Sequence, residues 1–521
     1  MRNILLVGIN SKYTHSNLAI RYMRAYADVP IAEYTINDDI FSVYRKLLEC
    51  DADFLCFSVY IWNVEFITKL CGMLIVARPE LKIIFGGPEA GYDAENCLKK
   101  HPWLTAVITG EGEQAMLDLK NDIPFESIPN LIYRDGEAFT HTSLQKTDLA
   151  ALVFPYTSEE IKTTLQNRIV YFETARGCLF RCAYCLSSAE GKTRFFPMDY
   201  VKKGLLFFME NEVPLVKLVD RTFNEDSERA EEIVSFILKH NKCTRFHFEV
   251  APQLLTDSFI DLCAQSPETF QFEMGIQTTN PETMHAIHRT YDLDKTAEKI
   301  KKVPHSIHQH LDLIAGLPHE TLKTFKEGFN YVYKLKPHML QLGFLKLLKH
   351  TKMHSIASEH NIKTTDFAPF EVLSTDTMSA EDIILLKKIE NAVDRIYNSG
   401  AFTNTLQQIC ANEPFDFYRK IGEKLYEAER IAPLSRSDLY VFMYNLYPET
   451  KKSLVVDFLQ NNHKAKLPEI FEDANENAKQ LHKKLAQSEA FQNKKFRLIF
   501  AADCVFAVTE NSVTELSKNM L

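Results

Sequence analysis

The sequence predicts an α/β protein in three successive parts: a doubly wound parallel sheet, a second array of six βα units and a mainly helical C-terminal region. Two observations predict this fold class. From the N-terminus to about residue 345, apolar runs of strand length alternate with segments of helical periodicity. Beyond about residue 378 the helical period prevails, up to one last apolar stretch. Strands that alternate with helices are typical of parallel sheets whose faces are covered by helices.

The composition is that of an ordinary globular protein with more than one domain. A chain of 521 residues is too long for one hydrophobic core, and we expect about three domains. The formal net charge of −9 argues against a broad, non-specific nucleic-acid surface. The eleven cysteines are scattered apart from one group of three, so we predict no disulfide framework and a reducing, cytoplasmic compartment. No apolar run is long enough for a membrane span, and we expect no membrane partner.

The N-terminal part carries five predicted strands, and the unusual residues lie in its loops. The strands are residues 4–9, 31–36, 54–60, 81–85 and 106–109, and the helices between them are residues 17–23, 41–50, 64–77 and 94–100. Ligands of such sheets bind beyond the carboxyl ends of the strands. The loops at those ends are residues 10–17, 58–63, 86–91 and 110–113. No GxGxxG follows the first strand, which argues against a nicotinamide or flavin dinucleotide.

Three cysteines, Cys178, Cys182 and Cys185, fall within eight residues after a predicted buried strand that ends at Phe172. Thiolates packed so closely in one loop are typical ligands of a metal centre. A structural zinc site takes four ligands, whereas three cysteines on a 4Fe–4S cube leave one iron open for a substrate or cofactor. Gly177 allows the chain to turn away from the strand. Buried structural cysteines and a zinc site completed by a distant histidine are the alternatives.

The middle part repeats the βα pattern six times, counting the strand before the cysteines. The other five predicted strands are residues 215–219, 245–250, 269–275, 309–314 and 339–344. Polar, glycine or proline residues follow them, at the edge where parallel barrels place their sites. Six units are too few to close an eight-stranded barrel. Glu249 lies late on an apolar strand, where an unpaired carboxylate is costly and therefore needs a partner or a ligand.

The CxxxCxxC spacing, with Tyr184 before the last cysteine, resembles the signature of radical SAM enzymes. This resemblance implies an open, partial (β/α)6 barrel as a radical SAM core at residues 166–377. It also implies that Cys178, Cys182 and Cys185 hold a 4Fe–4S cluster whose open iron binds S-adenosylmethionine (SAM). Reduction of such a cluster cleaves SAM to a 5′-deoxyadenosyl radical in this family, and Tyr184 would lie beside the cluster as part of the cofactor site.

Strand-end residues of the middle part also resemble those that hold SAM in this family. Glu249 and Gln277 match such positions, so the resemblance implies that they bind SAM; a buried structural pair is the alternative. Asp312 resembles a recurrent strand-end position, for which a SAM role and a structural role are equally open. Asp220 and Arg221 resemble a stretch that recurs in a cobalamin-dependent subgroup and could orient the cluster loop, with a simple strand-end ion pair as the alternative.

The N-terminal loops resemble the cobalamin-binding domain that precedes the radical SAM core in that subgroup, which implies a Rossmann-like cobalamin domain at residues 1–125. Gly-Gly-Pro-Glu follows the fourth strand and Gly-Glu-Gly-Glu the fifth, and their glycines allow the backbone to approach a planar corrin. The resemblance implies cofactor contacts from Asn10, Trp62, Gly86, Gly87, Pro88, Gly110, Glu111, Gly112 and Glu113. The Asp-x-His-x-x-Gly motif is absent, so we expect base-off cobalamin and do not assign His15 to cobalt.

The remaining segments are a connection and a C-terminal domain. Residues 126–165 are predicted to form a hairpin, at 130–142, and a linker. Residues 378–521 are predicted to be mainly helical, with helices at 379–398, 415–430, 435–447 and 475–490 and two short strands within 496–508. This region resembles a helical appendage that follows the core in one uncharacterised subfamily, and its function as a lid or substrate platform would be an analogy from the fold only.

Together the resemblances imply a cobalamin-dependent radical SAM enzyme, and within that class a methyltransferase that acts on an unactivated carbon. A radical SAM enzyme of another type, for tRNA methylthiolation or a rearrangement, and a non-catalytic iron–sulfur and cobalamin sensor are the alternatives. A methylthiotransferase would need a second set of three cysteines in the N-terminal part, where Cys50, Cys56, Cys71 and Cys97 stand singly. The expected partners are a small-molecule, RNA or peptide substrate and an electron donor such as flavodoxin or ferredoxin.

Overall fold

The computed structural model describes residues 1–189, 191–410, 413–473, 475, 477–487, 491, 495–510 and 512–517. The chain divides into two compact units. The first comprises Met1–Thr321 and Gly343–Ser379, and the second comprises Leu322–Leu342 and Ala380–Leu521. The first unit therefore contains the N-terminal sheet, the linker and most of the second sheet together, and the domain limits predicted within it stay predictions. Within the described ranges, none of the helices combines the length and the apolar character that crossing a bilayer requires.

A seven-stranded sheet opens the first unit, in the order β2-β1-β3-β4-β5-β6-β7. Its strands are β1 (Ile4–Asn10), β2 (Ile31–Thr35), β3 (Phe54–Ser58), β4 (Lys82–Gly86), β5 (Leu104–Ile108), β6 (Leu131–Asp135) and β7 (Ala138–His141). The helices are α1 (Leu18–Ala27), α2 (Ile40–Leu48), α3 (Val64–Ala77), α4 (Pro88–Gly91), α5 (Ala94–Lys100) and α6 (Glu113–Lys120). The five predicted strands pair in parallel, which confirms the doubly wound sheet. The predicted hairpin, β6–β7, pairs antiparallel with β5 and extends the same sheet.

Burial on both faces explains why these strands are continuous apolar runs. Alternate side chains of a strand point to opposite faces, and on β3 Leu55 and Phe57 pack into one core while Cys56 packs into the other. Parallel sheets covered by helices on both sides require such two-sided burial. Helix α1 begins at Asn17, whose side chain accepts a hydrogen bond from the backbone of Ile20. The loops after β1, β3, β4 and β5 then form the carboxyl edge of the sheet, where the predicted residues lie.

The second sheet has six strands in the order β15-β14-β13-β12-β11-β8, which confirms the six βα units. Its strands are β8 (Val170–Phe172), β11 (Leu215–Leu218), β12 (Arg245–Glu249), β13 (Phe270–Gln277), β14 (His308–Ala315) and β15 (Met339–Phe344). Two short antiparallel pairs lie outside this sheet. They are β9 (Ala175–Arg176) with β10 (Arg194–Phe195), and β16 (Lys363–Thr364) with β17 (Val372–Ser374). The helices of this part of the chain are α7 (Ser158–Lys162), α8 (Met198–Glu210), α9 (Ser227–His240), α10 (Asp257–Cys263), α11 (Pro281–Ala286), α12 (Leu293–Lys302), α13 (Leu322–Tyr333) and α14 (Lys352–Ile356).

The strands of this sheet have one apolar face, which is aromatic on β12, and one more polar face. On β12 the rings of Phe246 and Phe248 are completely buried, whereas Glu249 points to the opposite face. The register pairs Glu249 with Glu273 on β13, and Gly275 of β13 with Asp312 on β14. Carboxylates from three neighbouring strands therefore gather near the carboxyl ends of the polar face.

The second unit is mainly helical, as predicted. Besides α13 it contains α15 (Ala380–Ala392), a π-helical continuation (Val393–Asn398), α16 (Thr403–Ile409), α17 (Pro414–Glu429), α18 (Arg436–Leu446), α19 (Lys451–Asn461) and α20 (Ala478–Ala486). Three antiparallel strands follow, β18 (Phe496–Ala501), β19 (Cys504–Thr509) and β20 (Val513–Glu515), of which the third was not predicted. Residues 488–490 of the last predicted helix lie outside the described residues.

Candidate functional site

The cysteine loop lies between β9 and β10, and its entry requires glycine at position 177. Gly177 has a φ of +98°, and a Cβ atom there would lie 3.0 Å from the carbonyl oxygen of Lys192. Backbone hydrogen bonds hold the middle of the loop. The N–H group of Ala183 donates to the carbonyl of Ile287 (2.9 Å), and the carbonyl of Ala183 accepts from Met353 (2.7 Å). Two segments, one after β13 and one after β15, therefore hold the loop through backbone hydrogen bonds.

The three cysteines of the loop form no disulfide and are buried or half-buried. Cys178 and Cys182 are buried, and Cys185 is half-buried. The Sγ atom of Cys178 lies 3.4 Å from the Thr222 hydroxyl, and Arg289 donates from Nη1 to the Sγ atom of Cys182 at 3.5 Å. Arg289 thus places a positive charge beside the loop, opposite in sign to the thiolates that bind a metal.

The three thiols of the loop fit an iron–sulfur cube. Among the described residues no three His, Cys, Asp or Glu side chains are arranged to share one metal ion. A 4Fe–4S cube takes one cysteine at each of three irons, so its ligands need not converge on one point. Tyr184 hydrogen bonds with Cys182, and burial raises the pKa of its phenol, which keeps the ring neutral in the wall of the site.

A polar pocket of about 180 Å³ opens beside the cysteine loop. Its lining comes from the cysteine loop, from the ends of β12, β13 and β14, and from the segments that follow β11 and α11. The lining residues are Phe180, Arg221, Thr222, Glu249, Val250, Ala251, Glu273, Gly275, Gln277, Arg289 and Asp312. Three residues that the sequence singled out, Glu249, Gln277 and Asp312, are thus brought together.

Three side chains of this pocket have buried polar atoms without a hydrogen-bond partner. They are the acceptors Oε1 of Gln277 and Oδ1 of Asp312 and the donor Nε of Arg289. Gln277 also has a φ of +71°, and its amide folds back so closely over Gly275 that a Cβ atom there would lie 2.1 Å from Nε2. Buried polar atoms in proteins are nearly always satisfied, and backbone strain concentrates at functional sites. Both acceptors therefore fit a ligand that brings hydrogen-bond donors, as the ammonium and hydroxyl groups of SAM do.

The carboxylates of the pocket differ in how their charge is balanced. Burial opposes ionisation of Glu273, but hydrogen bonds from His247 and Lys217, both 2.9 Å, lower its pKa to about 2. Burial raises the pKa of Glu249, and the positive charge of Arg221 only partly counteracts it. The pKa of Asp312 is raised well above its ordinary value by burial and by the charges of Glu273 and Glu249. Bound cations or donors would relieve the cost at Glu249 and Asp312, whereas Glu273 is already satisfied.

Asp220 orients the start of the cysteine loop. Its buried carboxylate accepts hydrogen bonds from the backbone of Thr174 (3.0 Å) and from the Thr174 hydroxyl (2.6 Å). Burial raises the pKa of Asp220 to about 6, although these hydrogen bonds oppose the shift. The orienting function considered for Asp220 stays a prediction, and its neighbour Arg221 lines the polar pocket.

At the carboxyl edge of the N-terminal sheet, glycines bring backbone to the surface. Gly87 has a φ of +92°, and a Cβ atom there would lie 2.5 Å from the carbonyl oxygen of Val59, so only glycine fits. Pro88 then begins α4. Gly86 and Gly110 have no such close neighbour, and Gly110 opens on free space with a φ of +68°.

An exposed aromatic platform lies at the same edge. The ring of Trp62 is 46% exposed and stacks on Tyr60, with ring centroids 4.3 Å apart and planes inclined by 7°. Burial raises the pKa of the Tyr60 phenol, and the positive charge of Arg221, which lines the polar pocket, opposes that shift. An exposed flat surface next to glycine-lined backbone fits a large planar ligand such as a corrin.

The amide of Asn10 is engaged inside the N-terminal domain. Its Nδ2 atom donates to the carbonyl of His15 (3.1 Å) and to Oε1 of Glu33 (3.0 Å). His15 itself hydrogen bonds through Nδ1 with the Tyr171 hydroxyl on β8, and the expectation that it does not bind cobalt stays a prediction. Asn10 thus has a structural position, and its predicted contact with cobalamin stays a prediction.

Glu111 and Glu113 turn toward the cysteine loop, where they form ion pairs with Arg176 and Arg194. A Cβ atom on Gly112 between them would lie 2.8 Å from the terminal methyl group of Met23, a flexible side chain that can move aside. Their predicted contacts with cobalamin stay predictions, and every carboxylate oxygen of the two glutamates already has a partner in the protein.

Three residues of the site were not predicted from the sequence: Arg289, Tyr60 and, as an ion-pair partner, Arg176. Arg289 reaches Cys182 across 107 positions of the chain, and no local pattern marks it. Tyr60 could have been found, because it lies in the same strand-end loop as Trp62. Arg176 stands two residues before the first cysteine, where an arginine in a polar loop has many structural explanations.

Three consecutive stretches of the chain match known families. Residues 4–120 match the B12 binding domain, residues 172–332 match the radical SAM superfamily, and residues 358–511 match a protein family of unknown function, DUF4080. The chain therefore contains a radical SAM domain, with a B12 binding domain ahead of it and a DUF4080 region after it. Its domains imply a 4Fe–4S cluster, SAM and cobalamin as cofactors, which confirms the family and cofactors expected from the sequence.

Two curated relatives match about two thirds of this chain at low identity. The cobalamin-dependent radical SAM methyltransferase TokK of Streptomyces tokunonensis is 24% identical over 380 residues, which are 66% of this chain and 55% of TokK. The 2-(S-pantetheinyl)-carbapenam-3-carboxylate methyltransferase of Streptantibioticus cattleyicolor is 22% identical over 373 residues, 65% of this chain and 54% of that protein. The chain spans about half the length of the curated relatives it matches.

Among solved structures, the fold is similar to that of OxsB, a cobalamin-dependent S-adenosylmethionine radical enzyme. The superposition covers 92% of this chain and 78% of OxsB, with a TM-score of 0.62 and 15% sequence identity. At this identity the likeness concerns the fold alone.

Proposed function

We propose that the protein is a cobalamin-dependent radical SAM enzyme that reductively cleaves SAM and transfers a methyl group to an unactivated carbon. One observation carries the proposal. The polar pocket, with its two unpartnered acceptors, adjoins the cysteine loop, and the charge of Arg221 in its lining acts on the phenol of Tyr60, which stacks on Trp62 in the B12-binding domain. Cofactors held at these two places would be close together, and holding reacting groups in such proximity is a large part of what an enzyme can contribute.

The side chains of this chain have separate tasks in the proposed reaction. Cys178, Cys182 and Cys185 hold the cluster and leave its fourth iron open to SAM. Gln277 and Asp312 accept hydrogen bonds from polar groups of SAM and orient it. When bound, the cluster supplies a reducing electron and the cobalamin a transferable methyl group. The protein contributes binding, orientation and exclusion of water.

The assignment to methyl transfer, rather than to another radical reaction, is supported by the relatives. TokK and the carbapenam enzyme, which match about two thirds of this chain, are both named methyltransferases. We further propose a small-molecule, RNA or peptide substrate, and an electron donor such as flavodoxin or ferredoxin.

The test uses full-length protein with a reconstituted cluster, SAM labelled in its methyl group, and a reductant. Reduced protein is expected to form 5′-deoxyadenosine, and added hydroxocobalamin should additionally give S-adenosylhomocysteine, because methyl transfer leaves that product. Protein kept oxidised is the matched control. Absence of 5′-deoxyadenosine would overturn the radical SAM assignment and leave a sensor as the remaining class. Formation of 5′-deoxyadenosine without S-adenosylhomocysteine, with cobalamin bound, would overturn methyl transfer only.

A further inference from the structure

A buried ion-pair network joins the B12-binding domain to the strands that flank the cysteine loop. Nη2 of Arg176 lies 2.6 Å from Oε1 of Glu113 and 2.7 Å from Oε1 of Glu173, and Nη1 lies 3.6 Å from Oε2 of Glu111. Arg194, on the strand that pairs with that of Arg176, forms an ion pair with Glu111 as well. One turn of the N-terminal domain, residues 110–113, therefore holds both ends of the cysteine loop.

The linker residue Thr147 completes the network. Its N–H group donates to Oε2 of Glu111 (2.6 Å), its hydroxyl donates to Oε2 of Glu113 (3.2 Å), and its carbonyl accepts from Arg194 (2.9 Å). Together with the arginines, these contacts use all four carboxylate oxygens of the two glutamates. Each of the four oxygens therefore has at least one partner within the protein.

The surroundings of Arg176 make this contact stronger than a surface ion pair. The guanidinium lies 5.6 Å from the ring centroid of Tyr22 on α1 and 5.8 Å from that of Phe196 after β10, and both rings are almost fully buried. The side chain of Glu113 is 6% exposed and that of Arg176 is 15% exposed. Buried, charge-assisted contacts to a planar guanidinium are directional, and lysine cannot reproduce them.

We propose that Arg176 is a positioning residue that holds the cysteine loop to the B12-binding domain and so sets the separation between the cluster and the cobalamin. Glu111 and Glu113 serve this contact and do not bind the cobalamin. The proposal rests on the proposed function, since it concerns the two cofactors of that reaction. In this proposal the Gly-Glu-Gly-Glu segment fixes the position of the cysteine loop relative to the B12-binding domain.

The variants are Glu113→Gln, which keeps the shape of the side chain, and Arg176→Lys, which keeps its charge. Lys349→Met is the matched control. Lys349 also joins the two domains, through Glu89 (2.9 Å) and Asp93 (3.0 Å), but it follows β15 and makes no ion pair with the segments that flank the cysteine loop. Each protein is prepared full-length with a reconstituted cluster, with and without hydroxocobalamin.

Two measurements decide the proposal. In protein without cobalamin, amide hydrogen exchange at residues 110–113 and 175–176 should accelerate by at least about tenfold in both variants but not in the control. In protein with cob(II)alamin and a reduced cluster, the magnetic dipolar coupling between the two centres should weaken, because it falls with the cube of their separation. Cluster content should remain unchanged, and the dissociation constant of hydroxocobalamin should change by less than about threefold.

Each contrary result would overturn a specific part of the proposal. Unchanged exchange and unchanged coupling in both variants would show that Arg176 is not a positioning residue. A loss of hydroxocobalamin affinity beyond tenfold in Glu113→Gln, with unchanged coupling, would make Glu113 a cofactor contact instead. A purely structural ion pair would lower the thermal stability and leave the coupling in the folded fraction unchanged. Failure of the wild type to bind cobalamin would refute the proposed function, while the exchange measurement would still decide the positioning contact.

Discussion

The two carboxyl edges that meet in this protein present opposite kinds of surface to a ligand. At the edge of the barrel, Gln277 and Asp312 have buried acceptor atoms without partners. At the edge of the N-terminal sheet, the polar side chains of Asn10, Glu111 and Glu113 are bonded within the protein. What that edge offers instead is the exposed ring of Trp62 and glycine-lined backbone.

The difference indicates how each site recognises its cofactor. A small, charged molecule such as SAM is bound by side-chain acceptors whose burial is costly until it arrives. A large corrin has a wide apolar face, so shape, stacking and close backbone approach can hold it without charged side chains. Substitutions at the edge of the second sheet should therefore change SAM binding through lost charge or hydrogen bonds. Substitutions at the edge of the N-terminal sheet should change cobalamin binding through lost contact surface.

The largest effect is expected at the cysteines. Replacing Cys178, Cys182 and Cys185 together with Ala should abolish the cluster, because no other thiolates are available in that loop. Iron and sulfide analysis of anaerobically reconstituted protein measures this. Cys243→Ala and Cys263→Ala, on thiols outside the loop, are the controls and should keep the full cluster. A triple variant that retained its iron would contradict the assignment of all three ligands.

The second effect is expected in the polar pocket. Glu249→Gln keeps the volume of the side chain and removes its charge, so one charge-assisted hydrogen bond of roughly 1.5–3 kcal/mol is lost. SAM cleavage should fall by about ten- to a hundredfold, measured as 5′-deoxyadenosine formed per cluster. Thermal unfolding of the same preparation is the control. A variant that melts early but cleaves SAM normally per folded molecule would make Glu249 a structural residue.

A smaller effect is expected at the aromatic platform. Trp62→Ala should weaken hydroxocobalamin binding by about tenfold, equivalent to roughly 1.4 kcal/mol, because the stacked ring is lost. Asn10→Ala is the contrasting variant: it should cost about 1 kcal/mol of unfolding free energy and leave the affinity of folded protein unchanged. Spectroscopic titration of full-length protein checks both. If Asn10→Ala weakened hydroxocobalamin binding and Trp62→Ala did not, the cofactor contact would belong to the Asn10 amide and not to the Trp62 ring.

The smallest effect is a pair of opposite pH dependences inside the pocket. Asp312 has a raised pKa, so its ionisation destabilises apoprotein above its ordinary pKa, and Asp312→Asn should raise the free energy of unfolding by about 1 kcal/mol at pH 7. The gain should shrink as the pH falls toward about 4.

Glu273 behaves in the opposite sense, because its pKa is lowered to about 2. Its stabilisation is fully present above the ordinary pKa of about 4.3 and is lost as the pH falls toward 2. Glu273→Gln should therefore destabilise apoprotein at pH 7, and the loss should shrink below about pH 4. Denaturant titrations at several pH values measure both variants. Effects of the same sign would contradict the distinction between satisfied and unsatisfied carboxylates.

Local sequence determined the elements and the cluster loop. The spacing of the cysteines predicts their chemistry because a loop of eight residues leaves three thiols few ways to be arranged around a cluster. The strands could be predicted because a parallel strand buried on both faces must be a continuous apolar run, as β3 is. The turn at Gly87 could be anticipated because only glycine fits so close to the backbone of Val59.

Only the tertiary structure decided which polar side chains are free and which are bonded. Glu113 and Arg176 are 63 positions apart, and Arg289 and Cys182 are 107 positions apart, so no local pattern announces either contact. The sequence placed Glu111, Glu113, Glu249 and Gln277 alike at strand ends, and the fold pairs the first two with arginines and leaves Oε1 of Gln277 unpartnered. The physical reason is that a side chain's type and its place on a strand follow from neighbouring residues, whereas its hydrogen-bond partners depend on how distant strands are ordered and packed.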